Sequence, residues 1–198
     1  FAMLIRRARN LFGVDGEITV ECNPSAVEED FFETVADAGV NRISLGVQSV
    51  IESERKKLGR FSDRELIEKR IIQCKSAGIE NISLDVMLGV QEQTQKSLSE
   101  TLDFCIASGA KHISAYMLKI EEGTTYYKKR DSLNLPDDDE VADMYLAMSE
   151  RLLSNGFEHY EISNFARQGY EGKHNLKYWN CEEYLGLGPS AHSFIDGK

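Results

Sequence analysis

Ala38-Gly39-Val40-Asn41-Arg42-Ile43-Ser44-Leu45, Ala77-Gly78-Ile79-Glu80-Asn81-Ile82-Ser83-Leu84 and Ser108-Gly109-Ala110-Lys111-His112-Ile113-Ser114-Ala115 repeat one pattern. Each follows a helical-looking segment and sets a Gly five residues before a Ser in an apolar run. Gly just past a helix end adopts the left-handed conformation without a Cβ clash. The run after it reads as a short buried strand. The unit is helix, Gly turn, strand, repeated at spacings of 39 and 31 residues. Such alternation predicts parallel pairing and an α/β architecture.

Side chains alternate across a strand, so parity assigns faces. Ile43, Leu45 and Val47 share one face, and Ser44, Gly46 and Gln48 the other. Ile82, Leu84 and Val86 oppose Ser83, Asp85 and Met87. Ile113, Ala115 and Met117 oppose Ser114, Tyr116 and Leu118. An earlier segment, 17–23, sets Ile18, Val20 and Cys22 against Thr19, Glu21 and Asn23. The second face is too polar for a sheet buried on both sides or for a packed barrel interior. It predicts a wet lumen that holds a polar ligand. Glu21, Gln48 and Asp85 sit late in their strands, where β/α proteins bind ligands.

The 198 residues carry 33 acidic and 23 basic side chains, a net charge of −10. No basic cluster breaks that balance, which disfavours nucleic acid and anionic membrane surfaces as partners. No apolar run reaches membrane-spanning length. Cys22, Cys74, Cys105 and Cys181 lack motif spacing, which suits reduced thiols and a cytoplasmic location.

Local signals divide the chain into segments. A helix is expected over 1–12 and a strand over 17–23. Ser25 with Glu28 reads as a capping box opening a helix that Gly39 closes, and Ser62 with Glu65 as another for a helix ending at Gly78. Further strands are expected over 42–48, 81–88, 112–118 and 158–163, and a helix over 95–108. The acidic run 137–140 suits the start of a helix reaching about Asn155. Residues 166–198 read as an irregular tail after a β/α domain of 1–165. That tail leads toward a C-terminal domain that is cut off. Four or five strands do not close a barrel, and the abrupt start at Phe1 reads as the loss of N-terminal strands from a longer chain. An open edge of that kind would invite pairing into a homodimer.

A carboxylate and an amide facing one lumen suit vicinal hydroxyls or an ammonium group, and an Arg suits a carboxylate. Glu21, Gln48, Arg60 and Asp85 together fit a nucleoside bearing an amino acid. From residue chemistry alone a sugar phosphate fits as well, and Arg60 alone reads as a solvated charge. His174-Asn175-Leu176-Lys177-Tyr178-Trp179 offers imidazole beside aromatic rings, either to ligate or cover a flat cofactor such as haem or to pack over the sheet.

At these residues the chain resembles the oxygen-independent coproporphyrinogen oxidase-like branch of the radical S-adenosylmethionine (SAM) enzymes. The matching stretches are Glu21-Cys-Asn-Pro24, Ser44-Leu-Gly-Val-Gln-Ser49, Leu58-Gly-Arg60, Asp85-Val-Met-Leu-Gly89 with Gln93-Thr94, His112-Ile-Ser-Ala-Tyr116, Glu122-Gly-Thr124 and Tyr160-Glu-Ile-Ser-Asn-Phe-Ala166. The tail adds His-Asn-x-x-Tyr-Trp at 174–179 and Tyr184-x-Gly-x-Gly-Pro-x-Ala-His-Ser193. The His-Asn-x-x-Tyr-Trp element is most similar to the haem-chaperone subgroup.

The resemblance implies a partial (β/α)6 barrel with parallel strands. It implies a [4Fe-4S] cluster that reduces SAM to a radical, and haem or porphyrin as partner. By this likeness Glu21, Gln48, Arg60, Asp85 and Met87 are SAM contacts. Arg60 would hold the methionine carboxylate, Gln48 and Asp85 the ribose hydroxyls. His174 would belong to the haem-associated motif. The family's three-Cys cluster motif is absent, so this chain holds no metal ligand of that kind and is expected to be inactive alone. Its Gly-Leu-Pro-Gly-Gln-Thr loop reads Gly89-Val-Gln-Glu-Gln-Thr94 here. The expected function is haem binding and delivery. The alternatives are oxidation of coproporphyrinogen III, or aldolase or isomerase chemistry on a phosphorylated sugar. The last needs a Lys or His aimed into the lumen and a phosphate site, and neither is evident.

Overall fold

The computed structural model describes residues 1–198. Six strands form one sheet in the order β1-β2-β3-β4-β6-β5. They are β1 (Thr19–Cys22), β2 (Arg42–Gln48), β3 (Asn81–Leu88), β4 (His112–Met117), β5 (Glu158–His159) and β6 (Asn164–Ala166). The first four run parallel, as the repeated helix–Gly–strand unit predicts. Gly39, Gly78 and Gly109 all have positive φ (101°, 83° and 76°), the conformation the repeat requires.

The helices are α1 (Ala2–Phe12), α2 (Phe31–Asp37), α3 (Glu52–Lys57), α4 (Arg64–Ser76), α5 (Gln95–Ala107), α6 (Thr125–Lys129), α7 (Asp138–Ser154) and α8 (Lys173–Trp179). Ile43, Leu45, Ile82, Leu84, Val86 and Ile113 on one sheet face are fully buried. They pack in one core with Ile67 and Cys74 of α4, Leu98 and Cys105 of α5, and Met148 and Leu152 of α7. Burying side chains of this size stabilises by about 1.5–3 kcal/mol each. No helix is long and apolar enough to cross a membrane.

Four expectations are corrected. The stretch 158–163 is not one strand: the chain turns back at Glu161–Ser163, so β5 pairs antiparallel with β6 and β6 antiparallel with β4. Ser25 caps no helix, because Asn23 Oδ1 accepts from both its N–H (3.2 Å) and its hydroxyl (3.0 Å), and α2 starts only at Phe31. Asp63, not Ser62, caps α4 by accepting from the Leu66 N–H at 2.8 Å. The tail from 166 is not irregular throughout, since 173–179 form α8. The acidic run behaves as read: Asp137 and Glu140 form a reciprocal capping box at the start of α7.

Candidate ligand site on the polar face of the sheet

Register aligns the polar side chains in rows. Glu21, Ser44, Ser83 and His112 are successive partners across β1 to β4, one row spanning all four parallel strands. Gly46, Asp85 and Ser114 form the next row, followed by Met87 beside Tyr116. A cavity of about 670 Å³ lies over the lower rows. Glu21, Arg42, Ser44 and His112 line it from the sheet, Tyr160 from the hairpin, and His174 from α8.

Ser44 Oγ donates to Asp85 Oδ1 at 2.8 Å. Burial is the main cause pushing the Asp85 carboxyl up to about 6, helped by the negative charge of Glu21 and opposed by the Ser44 bond. Glu21 thus acts on Asp85 across one face of the sheet. His112 is buried, with Nδ1 2.8 Å from Ser83 Oγ and Nε2 2.8 Å from Tyr160 OH. Burial pushes its imidazole down to about 3, so the ring is neutral at pH 7 and uses one nitrogen as donor and the other as acceptor. Tyr160 OH also accepts from the Gly172 N–H at 3.2 Å, which pins the start of α8 to the sheet.

Gln48 ends β2 at a bulge, with φ +64° and the Ser49 N–H donating back to Val47 O at 2.8 Å. This is a γ-turn, a conformation strained for any residue with a side chain. Gln48 is buried, yet its amide oxygen has no partner. Its Nε2 would lie 3.2 Å from a β-carbon at Gly46, so the amide folds over the one position in β2 that lacks a side chain. Asp85 pairs with that same Gly46.

The structure therefore brings Glu21, Gln48, Asp85 and Met87 to one side of the sheet. Arg60 lies apart. It lines a separate surface hollow with Arg55 and Lys56, just past α3. His174 is exposed at the cavity, its Nε2 2.8 Å from Tyr178 OH. Arg42, His112, Tyr160 and Asn175 were not singled out from sequence as ligand contacts. Parity would have placed Arg42 with Ser44, and His112 with Ser114. No local signal places Tyr160 or Asn175 there.

The three buried cysteines point into the helix-covered core, and burial pushes their thiols up to about 11 for Cys22 and about 12 for Cys74 and Cys105. No group of three or more His, Cys, Asp or Glu side chains is arranged to hold a metal ion.

Comparison with known proteins agrees with this architecture. Heme chaperone HemW of Bacillus subtilis is 37% identical over 183 residues, covering 91% of this chain and 48% of the relative. The Escherichia coli HemW is 37% identical over 195 residues, covering 97% and 51%. The chain spans about half the length of the curated relatives it matches. Coproporphyrinogen III oxidase (HemN) from E. coli, a radical SAM enzyme, superposes with a TM-score of 0.82 at 21% identity, over 99% of this chain and 48% of HemN. The archaeal Elp3 of Methanocaldococcus infernus superposes with a TM-score of 0.57 at 18% identity, over 67% of this chain and 32% of Elp3. The model of the Radical SAM superfamily matches residues 1–105, more than half of the chain, and the chain belongs to that superfamily.

Proposed function

We propose that this chain is the haem-binding part of a radical SAM protein that carries haem to an acceptor. The observation that carries this reading is the position of α8. It places the His174 imidazole beside the same polar cavity that Glu21 and Ser44 line, exposed and with one aromatic partner, Tyr178. Imidazole is a common haem ligand. The relatives at 37% identity are named as haem chaperones, which supports the same reading.

The rim of the sheet fits part of SAM. The unpartnered Gln48 amide oxygen and the Asp85 carboxylate are acceptors suited to ribose hydroxyls, with the absence of a side chain at Gly46 letting the Gln48 amide approach the Asp85 row. Met87 follows Asp85 on the same face and would line the adenosine. Glu21 would hold the ammonium. Arg60, which lines a hollow with Arg55 and Lys56 just past α3, would hold the carboxylate on the same carbon as that ammonium. A [4Fe-4S] cluster does not fit these residues: the buried thiols are held far from the thiolate form, and Cys181 is exposed without a second cysteine.

Titrating the chain with haem and following the Soret band tests the proposal. Wild type should bind with a shifted band, and His174→Ala should weaken binding at least tenfold while leaving the fold intact by circular dichroism. Unchanged affinity in that variant would remove His174 from the site. Turnover of coproporphyrinogen III by a full-length relative carrying this segment would favour an oxidase instead.

A further inference from the structure

Arg42 opens β2 on the polar face, and its side chain is buried at 8% exposure. It lines the cavity, makes no ion pair, and its Nε has no hydrogen-bond partner. A buried guanidinium without a counter-ion is expensive to desolvate and calls for an anion. Glu17 and Glu21 line the same cavity without reaching it.

Three side chains, Arg42 among them, converge on Gly172. A β-carbon placed on Gly172 would lie 3.2 Å from Tyr160 OH, 3.5 Å from Asn175 Cβ and 3.7 Å from Arg42 Nη2. Gly172 has φ −66°, which any residue adopts. Space therefore accounts for a glycine here, and backbone conformation does not. Asn175 Nδ2 is also buried, has no partner within strict hydrogen-bond geometry and faces the Tyr160 hydroxyl. The Arg42 and Asn175 side chains thus approach one glycine from two sides, each with a buried donor, and Asn175 directly follows His174.

We infer that Arg42 and Asn175 form a carboxylate anchor, which holds a propionate of the tetrapyrrole that His174 meets. The inference rests on the haem-binding reading above. One planar guanidinium matches a carboxylate in a two-point fork, and Asn175 Nδ2 supplies a further donor to its oxygens. The two glutamates in the cavity disfavour a dianionic phosphate at this spot. Tyr160 OH, already tied to His112 and the Gly172 N–H, positions the anchor without being consumed by it.

The test compares haem with its dimethyl ester, which lacks both carboxylates, on wild type and Arg42→Gln in one detergent buffer. Wild type should bind the free acid about ten- to a hundredfold more tightly than the ester, as charge-assisted hydrogen bonds imply. Arg42→Gln should lose that preference by weakening the acid alone. Its thermal midpoint without ligand should equal or exceed that of wild type, because no protein partner is lost. Equal binding of acid and ester by wild type overturns the anchor while haem binding stands. Equal weakening of both ligands by Arg42→Gln also overturns it, since that marks a structural role. A SAM titration closes the other route: if the variant loses SAM and keeps haem, the carboxylate is that of an amino acid and the propionate assignment is wrong. If neither porphyrin binds wild type, the haem-binding reading fails and the anchor with it. Should Arg42→Gln not fold, the acid-against-ester comparison on wild type still decides.

Discussion

The polar face of the sheet is finished differently at its two ends. At the carboxyl rim, Gln48 is forced into a left-handed turn and burial pushes the Asp85 carboxyl up to about 6, both within one residue of a bulge. At the amino end, Arg42 and His112 lie under a roof made by Tyr160, Gly172 and α8, which arrive from a distant part of the chain. The rim takes its strain from one local turn at the end of β2. The base is built by long-range closure and stores an unpaired charge. The first arrangement suits a ligand read by hydrogen bonds at strand ends, the second a ligand that brings its own anion.

The largest expected effect comes from Asp85, which faces both ends. Its folded carboxyl titrates near 6 against an ordinary 3.8. The native state therefore binds its proton more tightly than the unfolded state. The favourable contribution is complete below about 3.8 and is lost as pH rises to 6, leaving above that a penalty of about 3 kcal/mol. Asp85→Asn, which can still accept from Ser44, should raise the unfolding free energy at pH 7.5 by about 2–3 kcal/mol and change it little at pH 4. Urea denaturation at the two pH values measures this. His112 works in the opposite sense. Its folded value near 3 lies below the ordinary 6.5, so its contribution is lost as pH falls through that window. Between about 4 and 6 the two slopes oppose each other. The Asp85→Asn variant should show the His112 slope uncovered, with stability rising steadily with pH. A flat profile would mean that water reaches both groups and that the two ends share one open environment.

Tyr160→Phe tests the base alone. The change strips His112 Nε2 of its partner and leaves the Gly172 N–H without an acceptor. Leaving buried groups unsatisfied costs about 1–3 kcal/mol. Amide exchange should quicken across 172–179 and stay unchanged at Ser49 and Gly89. Acceleration at both ends would show that roof and rim open as one unit.

How much of this was legible follows from the same division. Strand parity depends only on neighbours two apart, so the apolar set Ile43, Leu45, Ile82 and Leu84 and the polar set Ser44, Ser83 and Asp85 could be read directly. The bulge breaks that register at Gln48, which pairs with Val86, and its amide reaches the polar face by folding back over Gly46. Cap signals did worse. Ser25 had the right spacing to Glu28, but Asn23, two residues earlier, captured its hydroxyl first. Ser62 lost to Asp63, whose carboxylate reaches the Leu66 N–H. The stretch 158–163 reads as one strand until the turn at Glu161 is known. That turn is held partly by Tyr145 OH donating to Ile162 O at 2.7 Å, a contact from α7. Helix α8 has no capping side chain, so nothing local announces it. It is docked through Tyr160, and only the folded chain shows that His174 and Arg42 share a cavity. Arg60 follows α3 outside any strand, in a hollow with Arg55 and Lys56, so strand parity says nothing of where it points.

The smallest effect concerns the strain at the rim. A glutamine at φ +64° costs about 1–3 kcal/mol relative to relaxed backbone. Glycine removes that cost but pays about 0.5–1 kcal/mol of extra chain entropy. Gln48→Gly should therefore stabilise the fold by about 1 kcal/mol, while Gln48→Ala, which keeps the strained backbone and loses the amide, should not. SAM affinity should fall in both variants, because both lack the buried amide oxygen that has no partner within the protein. Chemical denaturation and a SAM titration on the same pair separate the two roles. If Gly and Ala prove equally stable, the turn is not strained, and the contrast with the unpaired charge at the other end loses its energetic basis. If stability rises in Gly while SAM binding stays at the wild-type level, the strain is real but the Gln48 amide serves no ligand. The only ligand-directed group left at this end would then be Asp85.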